Sequence, residues 1–221
     1  MVRTGFGVRS ALRLRGTELR WGAQTYIMAI VNVTPDSFSG DGLEEIGDAS
    51  AHAAAQWRAG ADIVDVGGES TRPGHCRVEE SVETARVLPV IERFRAAFPD
   101  APISIDTYKP AVAAAAHAMG ADLVNSVWGA PPELLEVAAE LEMPIVAMHN
   151  QTGTQYEGSV VDAVLTYLDD CASRAVACGI APERVILDPG IGFGKTAEQN
   201  LALLGALPRL VSLGFPTMLG T

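Results

Sequence analysis

Cysteine is scarce: three residues in 221, Cys76, Cys171 and Cys178, with no C-x-x-C pair among them. That excludes a disulfide scaffold and a cysteine-rich zinc ribbon, and it suits a reducing compartment, so a cytoplasmic location is expected. Basic charge is short as well. Sixteen Lys and Arg stand against 27 Asp and Glu, leaving a formal net charge of −11. A field of that sign repels polyanions, so neither nucleic acid nor an anionic membrane is expected as a partner. No apolar run reaches the length of a membrane span. The four histidines show no zinc spacing and no H-E-x-x-H. No G-x-G-x-x-G follows the first apolar run, which weakens any dinucleotide-binding reading.

What is present is a chain 48% hydrophobic, long enough to bury a core unaided, and read as one domain over residues 1–221. The arginine-rich start resembles a transit peptide in composition only. Leu12, Leu14, Leu19 and Trp21 alternate with polar residues around Gly16, which predicts a hairpin over about residues 10–22. Beyond it two textures alternate. Short apolar runs cover Tyr26–Val31, Asp62–Val66, Ile103–Asp106, Asp122–Ser126, Ile145–Met148, Val185–Asp188 and Thr217–Leu219. Each is near-continuously apolar, as a parallel strand covered on both faces requires. Helix-favouring stretches separate them, at Ala49–Ala59, Glu79–Ala97, Ala111–Met119, Pro132–Leu141, Val160–Cys178 and Glu198–Leu213. The passages Gly60-Ala61-Asp62-Ile63-Val64-Asp65 and Gly120-Ala121-Asp122-Leu123-Val124-Asn125 echo one another. Repeated βα units give a doubly wound sheet or a (β/α)8 TIM barrel, and seven strands with polar C-terminal ends fit the barrel better.

In such a barrel, chemistry sits where strands end and loops begin. Those positions carry Asn32, Asp65, Asp106, Asn125, Met148-His149-Asn150 and Asp188. A single strand-end carboxylate is as readily a helix cap. A ring of carboxylates and amides is costly unless a ligand supplies donors. A flat heterocycle with amino and lactam groups would do so, with Asp106, Asn125 and Asp188 as its partners. Met148 either offers a soft face to that ring or packs in the core. The loop Gly190-x-Gly192-x-Gly194-Lys195 is a weak anion signal, since its spacing is not that of a P-loop. Arg72 and Lys195 add basic charge in loops. Asn32 offers an amide oxygen to a hard cation such as Mg2+, which arrives with substrate phosphates.

Three motifs carry a resemblance: Asn32-Val33-Thr34-Pro35-Asp36-Ser37-Phe38-Ser39, Gly68-Glu69-Ser70-Thr71-Arg72-Pro73-Gly74, and Asp188-Pro189-Gly190-Ile191-Gly192-Phe193-Gly194-Lys195. Together they resemble the dihydropteroate synthases, in order, from about Leu12 to the last residue. The resemblance implies a barrel of the pterin-binding type. It also implies the joining of p-aminobenzoate to 6-hydroxymethyl-7,8-dihydropterin pyrophosphate in folate synthesis. By position, Asn32 becomes the Mg2+ ligand beside the pyrophosphate. Asp106, Asn125 and Asp188 hold the pterin, and Met148, Gly192 and Lys195 count among the substrate-binding residues. Thr71, Arg72, Pro73 and Phe193 enclose the aminobenzoate, and Asp36 faces the reacting carbon. Asp36, Asp106 and Asp188 form the catalytic set.

One departure accompanies it. The family continues with a Ser-Arg-Lys segment after the seventh strand and an Arg-x-His at the eighth, and its dimer contacts lie in the last helical region. This sequence stops at Gly220-Thr221, one βα unit short of a barrel of about 250 residues. The expectation is therefore a barrel lacking its last unit, with the family homodimer interface outside it. Two alternatives stand beside the synthase: a pterin-dependent methyltransferase and a non-catalytic pterin-binding remnant.

Overall fold

The computed structural model describes residues 11–33, 42–69 and 77–220. Alternation at the start of the chain produces a two-stranded antiparallel hairpin, β1 (Ala11–Leu14) with β2 (Thr17–Arg20), in which Leu12 faces Leu19. Six parallel strands follow: β3 (Met28–Asn32), β4 (Ile63–Gly67), β5 (Ile103–Asp106), β6 (Leu123–Ser126), β7 (Ile145–Met148) and β8 (Val185–Asp188). After each comes helix: α1 (Gly42–Arg58), α2 (Glu80–Ala97), α3 (Pro110–Met119), α4 (Pro132–Glu140), α5 (Val160–Ala177), then α6 (Ala197–Gly205) and α7 (Leu207–Val211). Spatial order equals sequence order, β3 to β8. A doubly wound sheet reverses its order at a switch point, whereas a barrel wall does not. The fold is an α/β barrel wall.

Three expectations need correction. Thr217–Leu219 is not a full strand. Thr217 makes one parallel bridge to Leu187, supported by Leu187 N–H to the Pro216 carbonyl at 2.9 Å and Met218 N–H to the Leu187 carbonyl at 3.0 Å. The segment still takes the next place in the wall. The helix expected over Glu198–Leu213 is broken, because Pro208 removes a donor and opens a second short helix instead. Asp122 lies outside β6. Its carboxylate is held by Arg15 Nε at 2.7 Å and Arg95 Nη2 at 2.6 Å and accepts from Ile103 N–H at 3.0 Å, which ties the lower rim of the wall together.

Period-2 alternation sorts each strand into two sets of side chains. Val64, Val66, Ile103, Ile105, Val124, Ile145 and Val185 point outward and pack with the helices in the main core. Ile63, Leu123, Val146 and Ile186 point inward and form a second cluster with Leu12, Leu14 and Leu19 of the hairpin. Those three leucines are no more than 3% exposed, and burying each contributes roughly 1.5–3 kcal/mol. The hairpin thus closes the barrel at the N-terminal ends of its strands. The C-terminal ends of the strands lie outside that cluster.

Candidate active site at the C-terminal end of the barrel

Strand register assembles the polar inward residues. Asn32 faces Gly67, Gly67 faces Asp106 and Asp106 faces Asn125, one residue from each of four consecutive strands. Further round the wall, Met148 faces Asp188. Gly67 leaves room in the row. A Cβ there would stand 3.3 Å from Asp106 Oδ2 and 3.4 Å from Asn32 Oδ1, tighter than side chains normally pack.

One row deeper sits Asp65, 2% exposed, facing Ser104 across β4 and β5. The Asn125 Nδ2 amide donates to Asp65 Oδ2 at 2.9 Å. Among the described residues, Asp65 Oδ1, Asp106 Oδ1 and Asn125 Oδ1 are buried oxygens without a donor. Such groups are uncommon in a folded interior, and each costs about 1–3 kcal/mol when left unpaired. The cost shows in the titration of the carboxylates. Burial, then the charges of Asp65, Glu83 and Glu69, pushes the Asp106 carboxyl well above the usual range. Asp65 is raised by burial and partly drawn back by the Asn125 amide. Asp188, 1% exposed, is raised by burial to about 6, even though its Oδ1 accepts from Gly190 N–H at 2.6 Å and Lys195 favours its ionised form. Asp65, Asp106 and Asn125 thus form one buried polar group, with Asp188 further round the wall.

The Gly190–Lys195 loop follows β8. Gly190 adopts φ +69°, and a Cβ on it would lie 2.0 Å from the His149 carbonyl oxygen, so only glycine brings this turn so close to β7. The Lys195 ammonium binds the loop's own carbonyls, at Gly190 (2.9 Å) and Phe193 (2.8 Å), and lies 3.1 Å from His149 Nδ1. Burial lowers Lys195 to about 8 and, with the Lys195 charge beside it, lowers His149 to about 4. The imidazole is therefore neutral near pH 7 and free to accept. In this state the ammonium organises the loop. Phe193 is half-buried and Gly192 exposed, with Gly192 N–H donating to Asn200 Oδ1 at 3.0 Å. Met148 is 4% exposed, inside the same wall.

Asp36, Thr71, Arg72 and Pro73 lie outside the described residues. Asp65 belongs with the strand residues singled out from the sequence but not with the expected ring partners Asp106, Asn125 and Asp188, and the structure ties it to Asn125. Its echo with Asn125 in the two matching passages was the available signal, since both are the last polar residue of an inward-facing set. As for a metal, no cluster of three or more His, Cys, Asp or Glu able to hold an ion occurs among the described residues. A protein-only cage is not what Mg2+ needs, because it keeps several waters and takes ligands from phosphates. One amide oxygen at the open strand end, as Asn32 provides beside Gly67, fits that mode.

The barrel wall, with buried acceptor oxygens toward the C-terminal ends of its strands, defines the class, an α/β barrel with a polar group at that end. Residues 28–221 match the pterin-binding enzyme family, and the chain belongs to it. Within that family its similarity is to dihydropteroate synthases. That of Clostridium beijerinckii is 45% identical over 213 residues, 95% of this chain and 78% of that protein. That of Bacillus subtilis is 43% identical over 95% of this chain and 74% of its own length. Among solved structures, a dihydropteroate synthase from Clostridium difficile, determined in the presence of pteroic acid, superposes with a TM-score of 0.86 at 44% identity. It covers 90% of this chain and 77% of that one. The Xanthomonas albilineans dihydropteroate synthase with 4-aminobenzoic acid gives 0.85 at 42%, covering 90% and 73%. These relatives favour the synthase over the methyltransferase. No helix among the described residues is long and apolar enough to cross a membrane.

Proposed function

We propose that this chain joins p-aminobenzoate to 6-hydroxymethyl-7,8-dihydropterin pyrophosphate, releasing pyrophosphate and giving 7,8-dihydropteroate for folate synthesis. The observation that carries the reading is the set of enclosed acceptor oxygens on Asp65, Asp106 and Asn125 that lack donors. An aminopterin edge is a row of such donors. On this reading Asp106 and Asp188 accept from ring and amino N–H groups, while Asn125, its amide nitrogen committed to Asp65, offers its oxygen. The glycine loop brings Phe193 to the rim, where an aromatic acid would lie.

The reaction breaks the bond between the pterin methylene carbon and the pyrophosphate oxygen, and the electron pair leaves with pyrophosphate. The neutral aniline nitrogen then forms the new C–N bond and loses one proton to solvent. Carboxylates around the ring favour the positive charge that develops as the C–O bond lengthens. Asn32 is positioned to hold Mg2+, which when bound would stabilise the departing pyrophosphate. A neutral aniline needs no obligatory base. A cytoplasmic setting belongs to the same reading, since Cys171 and Cys178 are both free thiols.

The test is calorimetry with the pterin pyrophosphate and Mg2+, followed by product analysis after adding p-aminobenzoate. Binding followed by dihydropteroate formation supports the reading. Absence of pterin binding overturns it, and binding without product identifies a pterin-binding protein instead.

A further inference from the structure

The loops that follow β7 and β8 interlock around two buried side chains that take no part in the bond changes above. Lys195 is 8% exposed and His149 is 5% exposed. The Lys195 ammonium donates to the Gly190 carbonyl at 2.9 Å and the Phe193 carbonyl at 2.8 Å, and it meets His149 Nδ1 at 3.1 Å. The His149 carbonyl is a fourth, longer contact at 3.3 Å. An ammonium can only donate, so Nδ1 accepts and the imidazole proton sits on Nε2. The His149 ring is packed edge-on to Tyr167 at 4.9 Å between centroids and tilted against Tyr156 at 5.9 Å. The Tyr156 hydroxyl in turn donates to the Gly194 carbonyl at 2.9 Å, and Gln199 Nε2 donates to the Thr154 carbonyl at 3.0 Å.

These bonds converge on Asp188, which ends β8 opposite Met148 and is 1% exposed. Gly190 takes the Lys195 ammonium on its carbonyl and gives its N–H to Asp188 Oδ1 at 2.6 Å, so a single residue links the cation to the carboxylate. From the end of β7, His149 N–H donates to the Asp188 carbonyl at 2.9 Å. Side chain and backbone of Asp188 are thus held by one interlocked unit, with the Lys195–His149 contact at its centre. Burying an ammonium is costly unless its protons are used. Here three acceptors between 2.8 and 3.1 Å use all three, which leaves Lys195 none to offer a ligand.

We propose that Lys195 and His149 are positioning residues that, through the Gly190 turn, fix the direction of the Asp188 carboxylate and thereby set the affinity for the pterin ring. This rests on the function proposed above, in which Asp188 accepts from that ring. Neither side chain touches substrate. Their contribution is preorganisation, because the acceptor is already aimed when the ring arrives and binding does not have to order it. What His149 supplies is the lone pair on Nδ1, so an amide oxygen in the same place serves equally.

The test uses the full chain and compares His149→Phe, which keeps a ring between the tyrosines and removes the acceptor, with His149→Asn, whose amide oxygen can stand in for Nδ1. Both replacements are uncharged, so any difference between them is not a difference of charge. In the unliganded protein, the Asp188 carboxyl followed by carbon NMR should titrate further above about 6 in His149→Phe and in Lys195→Met, and return toward wild type in His149→Asn. Calorimetric affinity for the pterin pyrophosphate should fall about tenfold in His149→Phe and Lys195→Met and stay within about threefold of wild type in His149→Asn. A loss in Lys195→Met with none in His149→Phe makes Lys195 a ligand contact and overturns the inference. Equal losses in the two His149 variants overturn it as well, as does an Asp188 titration that His149→Phe leaves unchanged. If the variants do not fold, nitrogen NMR of the wild-type imidazole decides: a bare Nδ1 supports the interlock and a protonated Nδ1 overturns it. A wild-type chain that binds no pterin counts against the proposed function instead, and the Asp188 titration still decides the interlock.

Discussion

The Asn125 amide nitrogen donates to Asp65 at 2.9 Å, and that bond fixes which end of the amide faces the pocket. The oxygen is left as the presented group, buried and without a donor. Asn125→Ala removes the presented acceptor and the donor to Asp65 at once. Losing one such buried bond costs about 1–3 kcal/mol, so pterin affinity measured by calorimetry should fall roughly 10- to 100-fold. An unchanged affinity would show that the pterin does not use this oxygen.

Asp106 leads to a pH prediction. Burial and the neighbouring charges of Asp65, Glu83 and Glu69 hold its carboxyl well above the ordinary range. A ligand that donates N–H groups needs the ionised form, so binding must draw the proton off. Pterin affinity should weaken as pH falls, starting above the usual carboxylate range. Calorimetry in buffers of different ionisation enthalpy should register proton release from the Asp65–Asp106 pair, which titrates jointly. Asp106→Asn should bind more weakly and flatten the profile. Proton uptake would contradict the assignment.

Asp188 trades stability for binding. Its folded-state value of about 6 lies above the ordinary 3.8, so the unliganded fold prefers the protonated acid. That contribution is complete below the ordinary value and is lost as pH rises through about 6. At pH 8 Asp188→Asn should therefore stabilise the unliganded protein, by about 2–3 kcal/mol at most. Its Oδ1 can still accept from Gly190. Melting curves at pH 8 and pH 4 should show the gain shrinking at the acid end, while pterin affinity falls at both.

Gly190→Ala places a methyl 2.0 Å from the His149 carbonyl oxygen, at a φ of +69°. Left-handed strain alone costs about 1–3 kcal/mol, and the clash adds to it. The turn must then move away from β7, taking Phe193 and the Lys195 contacts with it. A lower melting temperature and a raised KM for p-aminobenzoate are expected together. An unchanged melting temperature would mean that the loop reaches this geometry without the close approach.

Asn32 is tested through the metal. Asn32→Ala should raise the Mg2+ concentration needed for half-maximal turnover by about tenfold. Saturating Mg2+ should recover most of the rate. Removal of Mg2+ by a chelator should stop turnover of wild type and variant alike but leave binding of a pterin lacking the pyrophosphate intact. Equal Mg2+ dependence in both proteins would move the metal elsewhere.

Most of the wall was legible because strands covered on both faces are written as apolar runs, and β5, β7 and β8 begin and end where those runs do. The limits were local. Asp122 reads as part of a strand until Arg15 and Arg95 claim it, a contact spanning more than a hundred residues for Arg15. The first helix begins at Gly42, ahead of its Ala-rich part, because Leu43-Glu44-Glu45 already favour helix. Asp106 and Asp188 stood out because they end their strands, and Asn125 because it lies one residue short of the end of its own. Asp65 did not, because it sits in mid-strand among valines and acquires its meaning only when register places Asn125 above it. Glu83 is illegible for another reason: a charge within a helix reads as solvated, and nothing in one sequence says that packing will bury it.

The hairpin that plugs the barrel also sets a depth. Leu12, Leu14 and Leu19 hold up the floor of Ile63, Leu123, Val146 and Ile186, and immediately above it lie the acceptor oxygens. On the proposed function, a ring entering from the open end would stop where it meets that floor. The three leucines of the hairpin Ala11–Arg20 therefore act as a depth stop. Trimming them from leucine toward alanine would let a ligand settle below the groups meant to read it, a loss of recognition caused from the opposite end of the molecule.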